Sequence, residues 1–405
     1  MSSYNKIERS LAQLLETFPR VRQLTKFLYQ RLMYVINYSL TDVILSEKYT
    51  LDDPFLDLDG ETFFGYYDKS SINSRGDMLT HRVLEGCCSI FVKLCKGTLI
   101  AVAEVEAWNW QQGAMATWLS DDLVAYNDIS DGLAVCCVFS ISCQKVVSTH
   151  KNAIQCYSPA TQIYASIDYK KLNLLRPEYG YPKLGIEDCD HGRGISLFQF
   201  SSGESVGKLR LEEINNFLTL SDSFEMSKIN HCQFSPDGSL VLFMYRAYRN
   251  DGKHSYLLAW DYKDGKLLKL MDNRVVSHYS WFDDTKILVW GRGGDETGYH
   301  FVDLDGNLTA IKFIDPLLIG DGHPSINTKN LNILTDTYPN KARLSTLFLI
   351  DGAREEKIVQ LKQPWRFNGP CRVDLHPRFS EDGDLITLES GHTGRRRQYV
   401  LKKKD

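Results

Sequence analysis

One phrase recurs along the second half of this chain and restricts the fold more than any other feature. A histidine stands three residues before a large apolar residue, a turn follows, and a second apolar run comes after it. His231-Cys232-Gln233-Phe234-Ser235-Pro236-Asp237-Gly238 leads into 240–245, and His278-Tyr279-Ser280-Trp281 into 287–290. His323-Pro324-Ser325-Ile326 leads into 331–335, and His376-Pro377-Arg378-Phe379-Ser380-Glu381-Asp382-Gly383 into 385–390. The histidines step by 47, 45 and 53 residues. A period of this size that holds about four short strands is the pattern of propeller blades.

Strand periodicity begins near residue 47. It predicts blade one at 66–72, 78–83, 89–94 and 99–104, and blade two at 114–119, 123–127, 133–141 and 145–149. Blade three starts at Ala153-Ile154-Gln155 and is interrupted by an insertion over 171–193. The 77 residues from 154 to 231 are read as one blade with insertions, not two. Blade seven has only three strands, and residues 48–51 are placed to supply the fourth, because an open ring leaves an unpaired edge. The expectation is an all-β, seven-bladed β-propeller over 46–405 with N-to-C strand closure and an N-terminal helical extension over 1–45. Apolar residues at helical spacing predict helices over 4–18 and 21–38. They are either a cap on the propeller or a docking surface for a partner.

The net charge of -4 gives no general pull toward nucleic acid. Ten cysteines without paired spacing read as reduced thiols, which favours a cytoplasmic location. No stretch reads as a signal peptide or a transmembrane span.

The four histidines fall just ahead of first strands, so they are expected to converge at one mouth of the channel. Asp374 lies two residues before His376 and points the same way. Imidazoles and a carboxylate that converge suit a divalent metal, with His278, His323, Asp374 and His376 as ligands. The bland alternative is that each histidine caps its own turn. Arg246, Arg343, Arg372 and Arg396 are candidates for binding a carboxylate. Tyr67, Gln112, Asn127 and Asp128 are candidates for sugar hydroxyls, or else for latching blades together. His231 or Lys69 is the candidate base.

The His-Pro-x-Phe-Ser entry at His376, the Ser-Pro-Asp-Gly turn and the histidine register over 229–401 resemble the oligogalacturonate lyases. That resemblance implies a cytosolic seven-bladed propeller with manganese in its channel. Asp374-x-His376 stands where that family has a His-x-His pair, and Cys371 stands where it has a glutamine. His323 or His278 would be the third ligand. Phe64-Gly-Tyr-Tyr-Asp-Lys-Ser70, Trp108-Asn-Trp-Gln-Gln-Gly113, Tyr126-Asn-Asp128, Asp336-Thr-Tyr-Pro339 and Asp374-Leu-His-Pro-Arg-Phe379 are similar to an uncharacterised propeller group of bacterial capsule and exopolysaccharide gene clusters.

Two functions follow as expectations. The first is a metal-assisted β-elimination lyase acting on an acidic, uronate-containing glycan; its weaker version is a hydrolase using Asp68 and Asp128. The second is a non-catalytic glycan-binding or scaffold propeller.

Overall fold

The computed structural model describes residues 19–37, 42–186, 190, 192–220, 226–250, 252–273, 275–352 and 354–404. Seven antiparallel sheets follow one another along the chain as the blades of a propeller. Successive first strands touch around the axis, as Cys156–Ser158 does with Ser227–Phe234 and Ser325–Ile326 with Arg378–Phe379. Burial follows position. Every residue of Ser227–Phe234 is buried, whereas the blade-one strand Cys87–Lys93 buries alternate residues, as a strand with one packed face does.

The ring closes as the three-strand shortfall predicts. Tyr49–Asp52 pairs with the last strand, Arg397–Lys403, through Tyr49↔Lys403 and Leu51↔Leu401. Arg397 fixes the junction, because its guanidinium meets Asp53 at 2.7 Å and the carbonyl oxygen of Leu58 at 2.8 Å. Val43–Leu45 adds a fifth strand to blade six, with Val43 opposite Leu361. The 154–231 stretch forms a single blade. Its insertion carries the short helix Tyr169–Leu175 between the second strand, Ile163–Ser166, and the third, Arg193–Gln199.

The turns repeat chemically. The hydroxyl of Ser235 accepts from the Leu240 amide at 2.9 Å, and the hydroxyl of Ser380 accepts from the Leu385 amide at 2.9 Å. Gly238 and Gly383 sit at φ of 74° and 77°, the left-handed region that these turns require. The nine described cysteines are all free thiols.

Blade one differs from expectation. Its first strand is Glu61–Phe63, not 66–72, and the chain returns to the sheet only at the single bridge Ile72↔Met78. Between these points the backbone leaves the sheet and enters the channel. Buried Glu389 of blade seven compensates the lost ladder by accepting the Phe64 amide at 3.1 Å and the Gly65 amide at 2.7 Å. Gly65 has φ of 124°, and a Cβ there would lie 2.7 Å from the Gln112 carbonyl oxygen, so only glycine fits.

The helix Pro19–Ile36 rests on the propeller through Trp365, whose ring lies 5.7 Å from Phe27 and 6.2 Å from Tyr34. Leu24, Leu28, Leu32, Val35 and Ile36 of this helix are exposed. The helix expected over 4–18 lies outside the described residues. Among the described residues no helix is long and apolar enough to cross a membrane.

Candidate metal centre and cationic cavity

The segment that leaves blade one puts Tyr66 and Tyr67 in the middle of the histidine register. The Tyr66 ring lies 4.9 Å from His231 and 5.2 Å from His376. The Tyr67 ring lies 5.4 Å from His323 and 5.7 Å from His278. Tyr67 is pinned by its hydroxyl, which donates to the Tyr279 carbonyl oxygen at 2.9 Å and accepts from the Tyr279 amide at 3.1 Å. Burial pushes both phenols well above their ordinary pKa, so both are protonated at neutral pH.

Each histidine reaches the channel by a local device. In the first strand of blade four the register passes from Ile229↔Tyr245 to Cys232↔Phe243. That bulge turns His231 out of the ladder. His231 Nε2 meets Asp68 Oδ2 at 3.1 Å, and Lys69 Nζ lies 3.4 Å from Asp68 Oδ1. Burial opposes ionisation of Asp68, but Lys69 and His231 outweigh it and hold the pKa below the carboxylate range. An ionised Asp68 only accepts, so Nε2 carries the proton, and in the neutral imidazole Nδ1 keeps the lone pair.

His278 Nδ1 contacts Asp321 Oδ1 at 2.9 Å, and His323 Nδ1 contacts Asp336 Oδ1 at 2.9 Å. Each carboxylate fixes the tautomer that leaves Nε2 free to ligate. Asp336 also accepts the His323 amide at 2.8 Å and the Leu375 amide at 3.2 Å, tying blade six to the His376 loop. A Cβ at Gly322 would lie 1.9 Å from the Asp336 carbonyl oxygen, so this approach requires glycine.

His376 is buried, has φ of 42°, and leaves both ring nitrogens without a partner. Burial, with His323 and Arg378 adding to it, keeps this imidazole neutral. Ligand atoms of His323, Asp374 and His376 all lie within 4.8 Å of one another. Metal–ligand bonds of about 2 Å hold ligand atoms about 3–4 Å apart, a span inside that limit. The His278 ring lies 4.2 Å from that of His323. Two orphaned imidazole nitrogens beside a carboxylate, backed by histidines held in tautomer by aspartates, fit a divalent cation.

A cavity of about 170 Å³ opens above this cluster, lined among others by Tyr66, Arg176, His231, Arg246, His278 and Arg372. That is below the roughly 300–1,000 Å³ of drug-sized sites, so it takes one ring of a longer ligand. Arg372 Nε donates to Asp374 Oδ2 at 2.8 Å, joining cavity to metal cluster. A second cavity, about 370 Å³, lies beyond the tyrosines at the other ends of the first strands. Its lining includes Tyr67, Asp68, Lys69, Gln155 and Arg378.

The expected site residues therefore divide. His231, His278, Arg246 and Arg372 line the upper cavity, and His323, Asp374 and His376 form the candidate metal cluster. Lys69 and Tyr67 line the lower cavity. Arg396 is buried and donates to the carbonyls of Trp110, Cys371 and Arg372, holding the loop that carries Arg372. Arg343 donates to the Gln363 and Phe367 carbonyls at 3.2 and 2.7 Å. Asn127 latches blade two to blade three through Ile154 and Tyr181, and Asp128 caps the Glu106 amide. Gln112 is buried, and neither side-chain amide atom has a partner. Asp68 lines the lower cavity, and Asp128 lines neither of these two cavities.

Several residues of the site carry little sequence signal. Arg176 and Tyr179 come from the insertion, and Lys253 and Tyr338 from strand ends and loops. Asp321 stands two residues before His323 as Asp374 does before His376, a repeat that does mark it in the sequence.

No family model matches the sequence, and no curated protein matches it. Solved structures do. Oligogalacturonate lyase from Vibrio parahaemolyticus superposes with a TM-score of 0.60 at 11% identity, covering 89% of this chain and 98% of that one. An oligogalacturonate lyase in complex with manganese gives 0.62 at 12% identity, covering 90% and 96%. A chain of the mitotic checkpoint complex gives 0.53 at 11%, covering 89% and 94%. At these identities the likeness is one of fold.

Proposed function

We propose that this propeller acts on an acidic, uronate-containing oligosaccharide or polysaccharide as a metal-assisted β-elimination lyase. The observation that carries the reading is the buried His376, with both nitrogens unpartnered, beside Asp374 and His323 and beneath a cationic cavity. The oligogalacturonate lyase with manganese shares the fold, which supports manganese as the ion. The sequence resemblance further supports a place in capsule or exopolysaccharide metabolism.

His278, His323, Asp374 and His376 would hold a divalent ion, which would supply positive charge against the uronate carboxylate and so make the C5 proton more acidic. Arg372 orients that carboxylate. His231 Nδ1 takes the C5 proton while Asp68 stabilises the imidazolium that forms. Lys69 reaches the same pair from the lower cavity and tunes the charge on Asp68. The electrons of the C5–H bond become the C4=C5 double bond, the C4–O bond breaks, and the leaving oxygen takes a proton. Tyr66, a protonated phenol on the cavity wall, stands ready to donate it.

The test is an absorbance assay for the unsaturated uronyl product across acidic glycans, with manganese present. Turnover by the native protein and a loss of at least about 100-fold in His231→Ala are expected. Turnover unchanged in His231→Ala overturns that residue's role, and no product with any uronate glycan overturns the reaction. A scaffold role has one observation in its favour, the exposed apolar residues of Pro19–Ile36.

A further inference from the structure

The upper cavity holds more positive charge than one carboxylate needs. On blade four, Lys228 and Arg246 are directly paired across adjacent strands, and Lys253 lies diagonal to Arg246, whose partner on the third strand is Ser255. Like charges placed opposite each other on a sheet are destabilising. Arg176 approaches from the insertion, already paired with Glu178. Among the described residues neither Arg246 nor Lys253 has a carboxylate partner, and the buried Arg246 Nε has no partner at all. Lys228 is 1% exposed, and its ammonium nitrogen contacts only the Asn230 amide oxygen, at 3.1 Å.

Glu178 and Asp321 offset only part of this repulsion, and neither pairs directly with Arg246 or Lys253. Carboxylate recognition at Arg372 and the metal cluster leaves this group unused. We propose that Arg246 and Lys253, with Arg176 beside them and Lys228 beneath, form a subsite for a doubly charged oxyanion of the phosphate-monoester class on the substrate. Two negative charges match the two cations that lack partners better than a single carboxylate does. The inference rests on the upper cavity being the substrate site and adds a second charge requirement to it.

The arrangement predicts a proton linkage. Burial, with Arg176 and Arg246 adding to it and Glu178 opposing, pushes the Lys228 amine down to about 6; Lys253 adds to the effect. Burial, Arg246 and Arg176 bring Lys253 to about 8, against the pull of Asp321. A dianion raises both values, so binding at slightly alkaline pH draws protons from solvent.

The probe is inorganic phosphate, titrated calorimetrically into metal-free full-length protein near pH 8.5, in two buffers of different ionisation enthalpy. At that pH phosphate is itself dianionic. Expected are saturable one-to-one binding, net proton uptake, and at least tenfold weaker binding in Arg246→Gln. Lys228→Met lowers the proton uptake per bound phosphate, with Lys253 supplying the remainder, and its retained circular dichroism confirms folding. Absence of saturable binding, or binding indifferent to Arg246→Gln, overturns the subsite. So does proton uptake per bound phosphate that is unchanged in Lys228→Met. Galacturonate that displaces phosphate with equal affinity makes the group a carboxylate subsite and overturns the dianion class. Because neither metal nor turnover is involved, failure here is distinct from failure of the lyase reading.

Discussion

His376 concentrates the site's chemistry in one residue. A non-glycine residue at positive φ costs on the order of 1–3 kcal/mol, and here the strain turns a neutral, unpartnered imidazole toward Asp374 and His323. Asp336 acts one layer further out, through His323 Nδ1 and the Leu375 amide. Asp336→Asn should therefore weaken manganese binding by about 10–100-fold without removing a ligand, as read by titration calorimetry. Asp68 gives a pH prediction. Its folded pKa lies below the ordinary value of about 3.9, so its pairing contributes stability above that value and loses it as pH falls toward the folded pKa. Urea midpoints measured from pH 5 downward should fall in the native protein, and Asp68→Asn should lack that part of the acid limb. At this scale the sequence shows donors but not their second partners. The histidine register and Asp374 are legible because they repeat, whereas Asp336 and Glu389 bond across blades and leave no local pattern.

Among the elements, the blades are legible and the channel segment is not. Alternating burial and the Ser-x-Asp-Gly turns are local, so the periods mark most strands to within a few residues. The 66–72 stretch is not a strand, because the Phe64 and Gly65 amides just ahead of it bind Glu389, more than 300 positions away in the chain. Glu389 also pairs with buried Arg378 at 2.9 Å. Removing one partner of such a pair leaves a buried charge uncompensated, so Glu389→Gln should cost about 3–5 kcal/mol in urea unfolding. The same change should release Tyr66 and Tyr67 from the axis. Gly65→Ala should act in that direction too, since a Cβ meets the Gln112 carbonyl and φ is positive. The insertion shows the converse limit. Its length is visible in the sequence, but that it brings Arg176 and Tyr179 over the cavity is not.

For the whole molecule, closure and the divided channel matter most. Tyr49–Asp52 completes blade seven, so the first described strands and the last hold the ring together. Leu51→Pro, which removes an amide from that strand, should lower the unfolding midpoint and open blade seven first to proteolysis. The tyrosine segment separates an upper, cationic cavity over the metal cluster from a larger lower one. Under the proposed function the upper cavity sits on a bound divalent ion. Elemental analysis after manganese add-back, on the native chain and on an Asp374→Ala, His376→Ala double variant, tests it directly. One ion per native chain, with none retained by the folded variant, is the predicted result. Equal metal content in both proteins, or none in either, would contradict it.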